Sequence, residues 1–357
     1  MSWNCVGVAL CALLVLNVVT LLAVTQRLGR PATSHLRPLL APEAPIHAAA
    51  KRSDAGFRYV ADADVEACVA LVRREVLHND SLIQSMVAAD RREATLWLAG
   101  QALARPALAG GDFIETGVAG GGMSVVLRAM QLCVATARGG SAGAAPQRLW
   151  MADSWQGLPD GNGAFELIDG LIDADSNLHA GNYNVGWEAF TRNAERAAVH
   201  FDRLGWGALA APASSTRTRR GYFDLERSAL RGWFNDTLPR LVRGGGRTFS
   251  FLRLDGDMFI STFQALEHLY PALQCGGFVY VDDYHAFKQC RKAVEHYMAT
   301  HGGLSIAPWS IFAETKYKWV DNALAVKSDR AVFIRATPLQ VWHLGAATEG
   351  VWWQKQC

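Results

Sequence analysis

Four aspartates, Asp255, Asp257, Asp282 and Asp283, stand at the ends of two short apolar runs, and their types and spacing suit metal or proton chemistry. Thr248 to Leu254 is a β-type run that stops at Asp255-Gly256-Asp257, and Phe278 to Val281 is a second that stops at Asp282-Asp283. Between them Phe263, Leu266, Leu269 and Tyr270 recur at helical spacing. Ser261 with Gln264 reads as a capping box, and Pro271 and Gly276-Gly277 close the segment. Strand, helix, strand in that order makes the two strands parallel, so all four acids lie on the carboxyl edge of one sheet, where open α/β sheets bind ligands. Carboxylates gathered there repel one another unless a cation lies among them, and a hard divalent ion such as Mg²⁺ is the simplest partner. A single aspartate more often caps a helix or solvates a loop; the set of four favours a metal or catalytic role.

The elements that must position these acids begin further upstream. Asp112-Phe113-Ile114-Glu115 reads as a strand, Thr116 to Gly122 (TGVAGGG) as a glycine turn, and Met123 to Ala137 as a helix, the form of a first nucleotide-binding βα unit. The turn is not the G-x-G-x-x-G of dinucleotide sites, and Glu115 just before it is awkward for a pyrophosphate. That carboxylate suits the ammonium and sulfonium of S-adenosylmethionine better than NAD; the plainer alternative is a tight connection without a ligand. Leu149 to Asp153 is the next strand, and its terminal Asp153-Ser154 falls where such sheets hold ribose hydroxyls.

The remaining segments supply helices and edges. Phe57 to Leu108, Trp187 to Trp206 and Gln289 to Ala299 read as helical. Gly232 to Pro239 reads as a strand end running into a turn, with Trp233 suited to an adenine wall or to core. Trp319 to Val326 and Ala331 to Ala336 alternate like antiparallel strands able to close one sheet edge. His285, beside the acidic pair, is a second candidate base or ligand, although a surface or supporting role is commoner for such a residue. Residues 208–220 form an Ala/Ser/Thr/Arg insertion.

The 357 residues are 50% hydrophobic and 19% charged, which describes a globular protein with ample core. A net charge of +2 gives no case for nucleic acid as a partner. The 7 cysteines have no paired spacing, which excludes a zinc ribbon and points to no disulfide framework, one bridge staying open. Val6 to Val24 carries no charge and is just long enough to span a bilayer. A single-pass N-terminal membrane anchor in an endomembrane is therefore expected, with a cleaved signal and a secreted or lumenal product as the alternative. Arg27, Arg30 and Arg37 after the span favour a cytoplasmic domain.

Five blocks, Phe113 to Val118, Ala152 to Ser154 with Gly157 to Pro159, Gly232 to Pro239, Leu252 to Met258, and Gly276 to Tyr284, occur in an order that resembles the macrocin O-methyltransferase family over roughly residues 111–302. The resemblance implies a Rossmann-like methyltransferase fold and dependence on S-adenosylmethionine and Mg²⁺, with sugar hydroxyls as acceptors. It implies that Glu115, Thr116, Gly117, Ser124, Asp153 and Ser154 line the cofactor site with Trp233 nearby, that Asp255, Asp282 and Asp283 hold the metal, and that Asp257 is the general base. The family has no membrane segment, so the run at Val6 departs from it.

The expectation is thus an α/β protein, a mostly parallel sheet with helices on both faces and an antiparallel edge hairpin, preceded by a membrane helix. Its divisions are an anchor at 1–29, a Pro/Ala-rich tether at 30–54, a helical segment at 55–110 and a cofactor-binding domain at 111–357. The partners expected are a small-molecule hydroxyl acceptor and a membrane, with a homo-oligomer left open. The other reaction class that the acids suit is a membrane-anchored glycosyltransferase, with Asp255-Gly256-Asp257 as a D-x-D motif for metal and nucleotide sugar.

Overall fold

Short runs that carry apolar residues form the strands. In the computed structural model these are β1 (Asp112–Thr116), β2 (Leu149–Asp153), β3 (Ala229–Arg231), β4 (Phe249–Leu254), β5 (Leu273–Val281), β6 (Lys316–Val320), β7 (Ala323–Lys327) and β8 (Val351–Gln354). The structure describes residues 59–140, 147–159, 179–209, 221–243, 246–301, 316–320, 323–327 and 350–355. Six strands make one sheet in the order β3-β2-β1-β4-β5-β8. The first five are parallel, and β8 runs antiparallel to β5. The chain builds outward from β1 through β2 to β3, then returns to the other side of β1 for β4 and β5. The carboxyl end between β1 and β4 is therefore the topological switch point, where such sheets open a crevice.

Helices cover both faces. On one lie α1 (Ala63–Val72), α2 (Ala89–Leu103), α3 (Gly122–Ala137) and α4 (Trp187–Arg203), packed in one core with Phe113, Met151, Phe251 and Phe278 of the sheet. A one-turn helix, α5 (Leu225–Ser228), precedes β3. On the other face α6 (Phe234–Arg243), α7 (Phe259–Leu269) and α8 (Lys288–Thr300) bury Leu238, Leu266 and Val294 against Ile114, Leu252 and Val279. Side chains alternate between the faces of a strand with period two. Glu115, Arg253 and Tyr280 stand level in the register of β1, β4 and β5, so they share the face toward α2. Leu254 pairs with Val281, so the next residues, Asp255 and Asp282, are neighbours just beyond the sheet.

Several expectations are corrected. The hairpin of β6 and β7 forms a separate two-stranded sheet, and residues 331–336 lie outside the described residues. The antiparallel edge is instead β8, whose Trp352 and Trp353 supply enough buried apolar surface, 5% and 0% exposed, to close it. Gly232 to Pro239, expected as a strand end running into a turn, instead leads into a helix over 234–243 despite Pro239, because Phe234, Leu238, Leu241 and Val242 form one apolar face. Ser261 does not cap α7, which starts at Phe259 straight after the bend at Asp257. The expected membrane location is also corrected: among the described residues no helix is long and apolar enough to cross a membrane. The apolar α3 is only 16 residues long and is spent on the core, whereas a span needs about 20. Residues 6–24 and the tether lie outside the described residues.

Cys68 of α1 and Cys133 of α3 form a disulfide that the cysteine spacing did not point to. It closes a loop with a sequence separation of 65 and ties the leading helices to the first βα unit. Replacing both with serine should cost about 2–5 kcal/mol, read from urea unfolding of the variant beside the oxidised protein. An unchanged midpoint would show that helix packing alone fixes α1.

Candidate active site

The centre of the site is a residue that the acids surround. Arg253 is fully buried on β4. Its Nη1 donates to Asp255 Oδ2 at 2.6 Å and to Glu115 Oε1 at 3.1 Å, and its Nη2 donates to Asp282 Oδ1 at 2.9 Å. Its Nε donates to Thr95 Oγ1 of α2 at 3.3 Å. Arg91, one turn earlier on α2, donates from Nη1 to Asp282 Oδ2 at 2.7 Å and to Asp283 Oδ1 at 3.3 Å. Neither arginine was singled out from the sequence. Arg253 carried a usable signal, since a charge inside the otherwise apolar run FSFLRL has to find anions in the core. Arg91 carried none, because it meets Asp282 across 191 positions of chain.

The first βα turn closes over the same edge. Gly117 has φ +78°, and a Cβ there would sit 1.5 Å from the carbonyl oxygen of Asp255, so only glycine lets β1 turn beside β4. Asp153 secures the turn: its Oδ2 accepts from the Ala119 amide at 2.8 Å and its Oδ1 from the Trp155 amide at 2.6 Å. Asn193 of α4 donates to Gly120 O at 2.9 Å, and Trp155 donates to Ala119 O at 3.2 Å. Behind the turn, the Ser124 hydroxyl donates to Glu115.

A cavity of about 630 Å³ opens between this turn and the acids, within the size usual for a small-molecule site. Glu115, Gly117, Asp153, Ser154, Trp233, Asp255, Asp257, Asp282 and Asp283 line it. Thr116 and Ser124 do not; both are buried behind the wall. His285 is also absent from the lining, and burial holds its imidazole down at about 4. Asp257 enters the cavity from a left-handed backbone, φ +57°, with its amide donating to Asp283 Oδ2 at 3.3 Å.

The electrostatics would suit a cation. Burial, followed by Asp255 and Asp282, raises the Asp257 carboxyl to about 8, against Arg91. Burial raises Glu115 to about 7 although Arg253 and Ser124 pull it down, and Asp282 stands at about 6 for the same reason, against Arg253. Asp283 is driven up by burial and then by Asp255 and Asp257. Burial would lower the Arg253 guanidinium, but Asp282, Asp255 and Glu115 outweigh it and hold the charge in place. One oxygen from each of Asp255, Asp282 and Asp283 lies within 4.8 Å of the others. Oxygen ligands at about 2.0–2.6 Å from a common Mg²⁺ or Ca²⁺ can be up to about 4–5 Å apart. The donor set, all carboxylate and short of positive charge, fits such an ion.

A doubly wound α/β sheet with a glycine turn, an acid on β2 and an acid cluster across the switch point defines a member of the Rossmann-like class. The chain belongs to the macrocin-O-methyltransferase (TylF) family, whose model matches residues 72–196 and 206–305. The 8-demethyl-8-(2,3-dimethoxy-alpha-L-rhamnosyl)-tetracenomycin-C 4'-O-methyltransferase of Streptomyces olivaceus is 36% identical over 195 residues, 54% of this chain and 59% of that protein. Demethyldecarbamoylnovobiocin O-methyltransferase of Streptomyces niveus is 31% identical over 192 residues, 53% of this chain and 58% of that protein. The solved structure of the O-methyltransferase NovP is 22% identical, with a TM-score of 0.46 over 82% of this chain and 96% of that one. The chain spans about three-fifths of the length of the curated relatives it matches.

The raised carboxyls give the metal-free protein a signed pH dependence. A pKa higher in the folded state means that the fold holds protons the unfolded chain has released, so unfolding free energy falls as pH rises through that window. In chelator the thermal midpoint should fall from the ordinary carboxyl value of 3.8 up to about 8, the range bounded by Asp257. Added Mg²⁺ should restore it at the upper end. A midpoint that climbs across this range, or ignores Mg²⁺, would contradict the cluster as described.

Proposed function

We propose that this protein is an O-methyltransferase that moves a methyl group from S-adenosylmethionine to a hydroxyl of a sugar or another small secondary metabolite, with Mg²⁺ on Asp255, Asp282 and Asp283. The observation that carries the reading is that Asp257 and those three carboxylates face the glycine turn across one cavity. Bound at the turn, S-adenosylmethionine supplies an electrophilic methyl group on a sulfonium. Mg²⁺ supplies polarisation of the acceptor hydroxyl, which lowers its pKa.

The chain's own residues do the rest. Gly117 brings the turn against β4, so donor and acceptor regions share one rim. Asp153, fixed by the Ala119 and Trp155 amides, keeps the turn in register with β2 and leaves lone pairs toward the cavity for ribose hydroxyls. Ser154 and Trp233 add polar and aromatic walls beside it. Glu115, already bonded to Arg253 and Ser124, sets the negative potential under the donor's cationic groups. Thr116 and Ser124 support the wall from behind. In its ionised form, which a cation held by the neighbouring acids would favour, Asp257 takes the acceptor's proton on a carboxylate oxygen as the oxygen–methyl bond forms and the sulfur–methyl bond breaks. Holding donor and acceptor in line supplies much of the acceleration, up to ~7–11 kcal/mol in favourable intramolecular cases.

The glycosyltransferase alternative is not favoured, because the D-x-D residues belong to a methyltransferase-family sheet. Titration calorimetry should give binding of S-adenosylmethionine and none of UDP-sugars; the opposite result would reverse the choice. Asp257→Asn should lower kcat by about 10²–10⁴ while S-adenosylmethionine affinity changes little. Full kcat in a variant that still binds Mg²⁺ would remove Asp257 as the base.

A further inference from the structure

Arg91 belongs to neither the metal ligands nor the donor turn, yet it touches the first and is followed by Arg92, which holds the segment covering the second. Its Nη1 holds Asp282 Oδ2 and Asp283 Oδ1, oxygens of two of the three converging carboxylates. The other oxygen of Asp282 is held by Arg253, so a cation cannot reach Asp282 without sharing or taking an oxygen that a guanidinium already occupies. The two arginines differ in burial. Arg253 is wholly buried and bonded to three acids, whereas the Arg91 side chain is 12% exposed on the cavity wall. Of the two, Arg91 is the one that borders the open cavity.

What it would carry with it is visible in the same turn of helix. α2 is pinned at Thr95, whose hydroxyl accepts from Arg253 and donates to the Arg91 carbonyl at 3.0 Å. Ahead of that pin, Arg92 Nε donates to Val87 O at 2.6 Å and the Val87 amide donates to Ser85 Oγ at 3.1 Å, so the segment Gln84–Val87 is bound to the first turn of α2. This segment lines the cavity and lies on the glycine turn: a Cβ on Gly120 would come within 2.8 Å of Gln84 O, and one on Gly122 within 2.7 Å of Ser85 Cβ.

We propose that Arg91 is a tethered counter-cation of the acid cluster, which the divalent ion displaces from Asp282 and Asp283, and that its release repositions Gln84–Val87, so that metal binding sets the wall of the acceptor and donor pocket. The inference rests on the metal reading of Asp255, Asp282 and Asp283. It makes Arg91 a positioning residue that couples ion occupancy to pocket shape. A coupling of this kind requires that the ion and the guanidinium compete for the same oxygens.

The test uses Mn²⁺ as the probe, titrated into the full chain by electron paramagnetic resonance, with amide hydrogen exchange of residues 82–92 followed with and without the ion. Arg91→Gln should bind Mn²⁺ at least about fivefold tighter than the wild type, because a competing charge is gone. Arg91→Lys, which keeps the charge, should stay near wild type. Exchange in 82–92 should respond to Mn²⁺ in the wild type and not in Arg91→Gln. Equal or weaker Mn²⁺ binding by Arg91→Gln, or exchange in the wild type that ignores the ion, would overturn the inference and leave the metal site standing. No Mn²⁺ binding by the wild type would instead remove the metal reading, and this inference with it.

Discussion

A guanidinium with no exposure to solvent, that of Arg253, lies inside the sheet and has to be met there by negative charge. Three strands answer it: Glu115 from the end of β1, Asp255 from the end of β4 itself, and Asp282 from the end of β5. An uncompensated charge in that position would be far too costly to fold. The ion pairs are therefore as much a condition of the strand register as a result of it. Carboxyl groups nonetheless outnumber the two guanidinium groups in the cluster, and burial leaves Asp257 at about 8 and Asp283 also raised. The same charge that lets the acids be buried thus falls short of satisfying them. The shortfall is what fits the site to a divalent ion.

The rest of the fold delivers these groups to one place by simple periodicities. Alternation along strands puts Glu115, Arg253 and Asp255 on the face toward α2, which contributes Thr95 and Arg91. The order of the strands puts the switch point between β1 and β4, so the glycine turn opens beside the acids. The bend at Asp257 then starts α7 directly and leaves the Asp257 carboxyl in the cavity. Each step is local, but the site exists only where all of them coincide.

Much of this was legible in the sequence, for identifiable reasons. Short apolar runs that stop at acids read correctly as strand ends, which placed Asp153, Asp255, Asp282 and Asp283 on one edge, and the glycines after Glu115 read as the first turn. Pairings over long chain separations were not legible: Arg91 with Asp282, Cys68 with Cys133, and β8 against β5 have no local signature. Arg253 was hidden differently, inside a run scored by its apolar neighbours. Pro239 misled because a local helix breaker weighs more in a sequence than the tertiary face of Phe234, Leu238 and Leu241 that overrides it.

The most direct measurement of the part played by Arg253 is urea unfolding of Arg253→Met and Arg253→Lys beside the wild type at neutral pH. Removing the charge while keeping the bulk should cost about 3–5 kcal/mol, because three carboxylates are left facing one another in the core. Arg253→Lys should lose less. A loss below about 1 kcal/mol for Arg253→Met, against the several expected for breaking a buried ion pair, would contradict the claim that this one guanidinium holds the acid cluster, and the strands beneath it, together.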